Sequence, residues 1–109
     1  MKHAKNLCHI GLSPLEAEVY LTLYAEPHHR GTAPELIETL SKPSSSVYRA
    51  LENLKRYGFI TSVHFIGSAI VEARPLDHAL ISYAEYQRHQ VRDILADQLT
   101  TQQQERRTT

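Results

Sequence analysis

Apolar residues recur at spacings of three and four along much of this chain, the pattern of amphipathic helices. The pattern is clearest between Ser41 and Ile60, where Val47, Ala50, Leu51 and Leu54 fall on one face at about 100° per residue. The other face carries hydroxyls, an amide and charged groups: Ser45, Arg49, Glu52, Asn53 and Arg56. The segment therefore predicts a helix that buries a narrow aliphatic stripe and presents a polar, basic surface.

Two capping boxes predict helix starts upstream of that segment. Ser13-Pro14-Leu15-Glu16 and Thr32-Ala33-Pro34-Glu35 each place proline in the first turn and glutamate three residues after the cap. The first box predicts a helix that stops near Glu26, followed by a loop over residues 27–31. The second predicts a short helix that turns Leu36, Ile37 and Leu40 inward. Residues 1–11 fit either a frayed start or a short lead-in helix.

Local signals also bound the third helix and predict a hairpin after it. After a break at residues 41–43, Ser44 or its neighbour is expected to cap this helix, and Gly58 suits the position after its end. Phe59 to Ile66 and Ala69 to Arg74 are rich in strand-forming residues and flank a plausible tight turn at Gly67-Ser68. These two strands form a hairpin directly after a helix-turn-helix, which makes a wing.

The element order defines the predicted fold. The chain is mainly α with a small β-hairpin, in the order α/α/α/β/β/α: a winged helix-turn-helix plus a long C-terminal helix. We expect the winged domain at residues 1–75, a C-terminal dimerisation helix at 76–100 and a polar, frayed tail at 101–109.

Composition describes one ordinary globular domain. The 109 residues are 41% hydrophobic and 22% charged, and 12 basic residues balance 12 acidic ones. Zero net charge argues against a non-specific polyanion binder, but a local basic face is still allowed. The segment from Lys42 to Arg56 has such an excess, with four basic residues against Glu52. A single cysteine, no signal-like start and no long apolar run predict a cytoplasmic protein without a membrane span.

The polar face of the third helix is a candidate DNA interface. Its first two turns are the part that enters the major groove in helix-turn-helix docking, and Arg49 can pair bidentately with guanine. Lys42, Ser44, Ser45 and Lys55 suit phosphates. The alternative is a solvated helix side that happens to be basic. The full candidate set is Thr32, Lys42, Ser44, Ser45, Ser46, Tyr48, Arg49, Asn53, Lys55 and Arg56.

The long last helix has two interpretations. Its apolar stripe either packs back on its own domain or pairs with a second copy of the chain. We expect a homodimer, because two-fold pairing gives two half-sites about one helical turn apart on DNA. The residues predicted to form the dimer contact are Leu80, Ala84, Val91, Ile94, Leu95 and Leu99.

Two motifs carry a family resemblance. Gly11-Leu12-Ser13-Pro14-Leu15-Glu16-Ala17-Glu18-Val19-Tyr20-Leu21-Thr22-Leu23 resembles the opening of the TrmB family of transcriptional regulators, which is found mostly in archaea. Ser44 to Leu54, followed by Tyr57-Gly58-Phe59-Ile60, resembles that family's recognition helix and its exit. The resemblance covers roughly residues 7 to 75 and implies a regulator that binds double-stranded DNA.

The sequence departs from the family in two places. Long members carry a C-terminal sugar-binding domain, and nothing after the long helix is expected to form one, so no small-molecule effector is carried over. Wings of this family often hold Lys or Arg near the tip, whereas residues 65–70 are uncharged and leave His64 and Arg74 as the candidate cations. A neutral wing and zero net charge also support an alternative: a winged-helix protein-interaction module that does not bind DNA.

Other chemistry finds little support. Seven histidines invite a metal hypothesis, but spacings such as His-x3-His or Cys-x2-Cys do not occur. We expect no metal and no cofactor. The chain has no Gly-rich phosphate loop, nucleophile elbow or close carboxylate pair outside an ordinary helix surface. An enzyme is therefore not expected.

Overall fold

The computed structural model describes residues 2–65 and 68–107, with side chains over 4–63 and 69–100. The described helices are α1 (Lys2–His9), α2 (Pro14–Ala25), α3 (Ala33–Leu40), α4 (Ser44–Tyr57) and α5 (Leu76–Arg107). The strands are β1 (Arg30–Gly31), β2 (Ile60–Phe65) and β3 (Ser68–Ala73). The predicted fold class, a mainly helical winged helix-turn-helix with a long C-terminal helix, is confirmed.

Both predicted capping boxes begin helices. At α2, Ser13 Oγ accepts a hydrogen bond from Glu16 N at 3.1 Å, and Glu16 Oε1 accepts one from Ser13 N at 2.9 Å. At α3, Thr32 Oγ1 accepts from Glu35 N at 3.4 Å and donates to Glu35 Oε1 at 3.0 Å. The first box is the full reciprocal form, while the second replaces one backbone bond by a side-chain bond.

The three-stranded antiparallel sheet has the order β1-β3-β2. The β2–β3 hairpin runs from Ile60 opposite Ala73 to Phe65 opposite Ser68. Strand β1 adds Arg30 opposite Glu72 after a 3₁₀ turn at Pro27–His29. The prediction of a loop over residues 27–31 is therefore wrong for Arg30–Gly31, which form β1. A two-residue strand is too short to show an alternating pattern in the sequence. The turn predicted at Gly67-Ser68 includes residues 66–67, which lie outside the described residues.

The core lies between α2, α4, the sheet and the first turns of α5. Phe59 is fully buried, and its ring centroid lies 5.2 Å from that of Tyr20 and 5.5 Å from that of Tyr83. The hydroxyl of Tyr20 donates a 2.7 Å hydrogen bond to Arg74 O, and burial raises the pKa of this phenol. These aromatic contacts tie α2, the strands and α5 into one unit.

The two ends of the chain also have defined backbone structure. The first element, α1, is the lead-in helix rather than the frayed start, and its Leu7 is buried in the core. At the other end α5 continues to Arg107, beyond the helix end predicted at residue 100, while the fraying predicted for residues 101–109 stays a prediction. Gln, Glu and Arg are good helix formers and favour this longer helix. Among the described residues, no helix has the length and apolarity that a membrane span needs.

Candidate nucleic-acid interface

Helix α4 begins without a side-chain cap. Pro43 occupies the cap position, so the expectation that Ser44 or its neighbour caps the helix is wrong; Ser44 is its first residue. The carbonyl of Pro43 accepts hydrogen bonds from Ser46 N and Val47 N. The first amide groups of α4 are thus left to solvent or to a ligand, and the positive end of the helix dipole favours an anion there.

The predicted division of α4 into two faces is present. Val47, Ala50, Leu51 and Leu54 are buried against the domain. The exposed candidates are Lys42, Ser44, Ser45, Tyr48, Arg49, Lys55 and Arg56, while Ser46 is half-buried. Within the described part of the chain, none of the four cations in this set forms an ion pair. The outward face is therefore basic, with four cations against the exposed Glu52.

Asn53 lies elsewhere than the sequence predicted. Its side chain is half-buried, and Nδ2 donates a 2.8 Å hydrogen bond to Glu16 Oε2 on α2. Asn53 therefore faces α2 and not the outside. A shallow cleft of about 210 Å³ separates the start of α2 from α4, and Ser13, Ser46 and Arg49 are among its other lining residues. Arg49 thus stands at the edge of this cleft beside the exposed face.

The far end of α4 is fixed to α5. Gly58 has φ +94°, and a Cβ at this position would lie 2.5 Å from Ser82 Cβ, so both backbone conformation and space require glycine. Arg74 donates to Gly58 O at 2.8 Å and to Ser82 Oγ at 2.9 Å. Arg74 thus holds the base of the wing to the end of α4 and to α5, and its part as a wing cation stays a prediction. The side chain of His64 lies outside the described residues.

The last candidate of the DNA set is at the start of α3. Thr32 is half-buried, and its hydroxyl is engaged with Glu35 in the helix cap. The Thr32 hydroxyl therefore has a structural role within the protein, as the cap of α3. Its place at a helix N-terminus still allows the backbone there to approach a phosphate.

Helix α5 has a packed part and an exposed part. Ala79 and Tyr83 are buried, and Tyr57 at the end of α4 lies between Tyr83 and Tyr86, with ring centroids 5.0 and 5.1 Å away. From residue 87 to 100 every residue is exposed. All six residues predicted to form the dimer contact are exposed. Five of them are large and apolar: Leu80, Val91, Ile94, Leu95 and Leu99. Ile81, which is not in the predicted set, is also exposed.

The family follows from comparison with known proteins. The model of the family described as "Sugar-specific transcriptional regulator TrmB" matches residues 7–76, which is more than half of the chain. The chain belongs to the TrmB family. Among curated protein sequences, none matches it significantly. The matched region contains α2, α3, α4 and the wing, so the family membership covers the whole candidate interface.

Two solved structures share this fold. One is TrmBL2, an archaeal chromatin protein, with a TM-score of 0.68 and 19% identity over 94% of this chain and 39% of that chain. The other is a protein described as a transcriptional regulator, with a TM-score of 0.61 and 19% identity over 89% of this chain and 64% of the other. This chain therefore spans less than two thirds of the length of either.

These relatives are regulators and a chromatin protein rather than enzymes, in agreement with the sequence prediction. Separately, no group of three or more His, Cys, Asp or Glu side chains suited to a metal occurs among the described residues.

Proposed function

We propose that this protein is a transcriptional regulator that binds double-stranded DNA sequence-specifically as a homodimer, with α4 as its recognition helix. The observation that carries the proposal is the exposed basic face of α4 on a winged helix-turn-helix of a regulator family. Three exposed cations on one helix and a fourth, Lys42, in its lead-in are a footprint for phosphates and base edges. We also expect the cytoplasmic location predicted from the sequence.

Roles within the interface follow from position. Arg49 is exposed, in the second turn of α4, where a guanidinium can reach guanine O6 and N7. Lys42 precedes the uncapped helix start and Lys55 lies in the last turn, so both suit phosphates on either side of the groove. The exposed Tyr48 adds a hydroxyl at the flank of this surface. We propose that the remaining candidates contact the DNA backbone: Ser44, Ser45, Ser46, Arg56 and Thr32.

The structural neighbour adds a second line of support. TrmBL2 is described as showing a novel mode of DNA binding, and its fold matches 94% of this chain. Because identity is only 19%, the neighbour supports the class of ligand and not the identity of any contact. Residue roles in this protein are therefore argued from its own surface.

The homodimer is proposed from α5. Apolar residues that are more than half exposed, among them Val91, Ile94, Leu95 and Leu99, recur along residues 87–100 of the helix, where every residue is exposed. A second copy of the same helix would cover them and give a two-fold axis. The alternative interpretation, that this stripe packs back on its own domain, is disfavoured by that exposure.

Selection from a random pool of DNA duplexes tests the function and the dimer together. A dimeric regulator should enrich a palindrome with half-sites about 10 base pairs apart, or a multiple of that spacing. Enrichment of a single short site would contradict the dimer. No binding at micromolar protein in low salt would contradict the DNA function and favour the protein-interaction alternative.

A further inference from the structure

Glu16 of α2 is the buried charged side chain of the described part of the protein, with 6% of its surface exposed. Its two carboxylate oxygens have different partners. Oε1 accepts from Ser13 N at 2.9 Å within the capping box, and Oε2 accepts from Asn53 Nδ2 at 2.8 Å across the interface with α4. Removing the amide would leave a buried charged oxygen unsatisfied, which costs more than an ordinary hydrogen bond.

This bond differs in kind from the contacts of the buried face of α4. The buried face of the helix is aliphatic, and such contacts are not directional. Among the described side chains, the Asn53–Glu16 bond is the hydrogen bond that joins α4 to α2. Asn53 lies one helical turn after Arg49, and both line the cleft beside the start of α2. The directional contact is therefore next to the residue proposed to read a base.

We propose that Asn53 is a positioning residue: held by the buried carboxylate of Glu16, it fixes the rotation of α4 and so the place of Arg49 relative to the DNA. The proposal rests on the proposed function of α4. It replaces the sequence-based expectation that Asn53 itself contacts DNA. The capping box that starts α2 would then serve a second purpose, since the same carboxylate orients the recognition helix.

A reciprocal exchange of the two groups tests the pair. Asn53→Asp brings a second carboxylate to the position now 2.8 Å from Glu16 Oε2, and like charges at this distance repel. Adding Glu16→Gln supplies an amide that can donate to the new carboxylate, and glutamine also suits the capping box. The double variant keeps the net charge of the wild type. Glu16→Gln alone should be mild, because Asn53 can turn its amide and accept.

The first readout is the unfolding equilibrium in denaturant. Asn53→Asp should lower the folding equilibrium constant by at least about tenfold, and the double variant should recover most of the loss. Asn6→Asp on α1 and Glu18→Gln on α2 make the same chemical changes at exposed positions, so each should leave the constant nearly unchanged. If the effects of Asn53→Asp and Glu16→Gln on the free energy of unfolding are additive, the hydrogen bond between the two residues is contradicted.

The second readout is the ratio of affinities for a selected duplex and a shuffled one. Because an added charge weakens binding to both duplexes, the ratio reports on positioning rather than on electrostatics. Asn53→Asp should lower this ratio by about tenfold, and the double variant should restore it. A restored ratio also excludes base reading by Asn53, since the exchange leaves no amide at position 53.

Each remaining outcome is decisive. Coupled stability with an unchanged affinity ratio would show a purely structural bond and overturn the positioning role. A ratio that stays low in the stable double variant would return Asn53 to the DNA-contacting set. A wild-type protein that binds the selected and shuffled duplexes equally would overturn the proposed function, and the positioning role with it. The unfolding data would still show whether Asn53 and Glu16 are coupled.

Discussion

Helices α4 and α5 differ in where their apolar residues lie. In α4 the aliphatic stripe is buried in its own domain, and the exposed face is polar and basic. In α5 only the first turns are packed, and beyond them apolar residues are exposed, with Ile94 61% accessible. The apolar side of α4 is satisfied within one chain, so its exposed face suits a polar ligand. The exposed side of α5 suits an apolar partner.

The difference assigns separate tasks to the two helices. A helix with a satisfied apolar side is rigidly placed, which suits the recognition of base edges at fixed positions. A helix with an exposed apolar side gains free energy by association, and the partner that we propose for it is a second copy of itself. Substitutions that affect one helix and not the other test this division.

The largest expected effect is on folding. Leu54→Ala, at a fully buried position of α4, should lower the free energy of unfolding by about 2–5 kcal/mol. Leu95→Ala makes the same change on α5, where the residue is 56% exposed, and should cost the monomer less than about 0.5 kcal/mol. Denaturant unfolding at low protein concentration measures both values. Equal losses would contradict the division.

The next effect is on association. Leu95→Asp should raise the dimer dissociation constant by about a hundredfold, because a carboxylate in an apolar contact is left unpaired. Ala96→Asp, the same charge at the neighbouring position on another side of α5, serves as the matched control. Sedimentation of each variant gives the constants. A wild-type protein that is monomeric at tens of micromolar would contradict the proposed dimer. Equal effects of the two substitutions would contradict it as well.

A smaller effect separates base reading from phosphate contact on α4. Arg49→Ala should abolish the preference for the selected site, since a bidentate contact with guanine contributes about 1–3 kcal/mol of discrimination. Lys55→Ala should weaken binding to all duplexes and reduce the salt slope by about one. Titrations at several salt concentrations measure both. If Arg49→Ala binds the selected site as well as the wild type, α4 is wrongly assigned as the recognition helix.

The smallest effect concerns the aromatic core between the two helices. Burial raises the pKa of the Tyr20 phenol, so the folded state keeps a proton that the unfolded state loses above about pH 10. The stabilising contribution is complete below pH 10 and is lost as pH rises further, at up to about 1.4 kcal/mol per pH unit. Tyr20→Phe should flatten this decline, whereas Tyr48→Phe, at an exposed position, should not. Denaturant unfolding at a series of pH values measures the slope.

Local features of α4 were predictable from the sequence and long-range ones were not. The buried stripe depends on helical spacing, and the stop at Gly58 depends on the conformational freedom of glycine. Both can be recognised within one segment of the sequence. The bond between Asn53 and Glu16 joins residues 37 positions apart, so the periodicity that put Asn53 outside could not reveal it. The hydrogen bonds of Arg74 could not be predicted for the same reason, because its partners Gly58 and Ser82 lie in other segments of the chain.

Pairing along the chain explains the remaining differences. Strand β1 is defined by its partner β3 and not by its own two residues. At the start of α4, Pro43 occupies the cap position and Ser44 is the first helical residue, so the preference of serine for caps did not predict this start. For α5, the apolar stripe was predictable from spacing, whereas its exposure and the anchoring of the first turns by Tyr57 required the fold.

The central claim is that DNA binds the outer face of α4. The direct measurement is an NMR titration of the labelled protein with a selected duplex. We predict that the backbone amides of Ser44 and Ser45 and the side chain of Arg49 shift, while residues 91–99 of α5 do not. Shifts confined to α5, or to the β2–β3 hairpin with α4 unchanged, would contradict the claim.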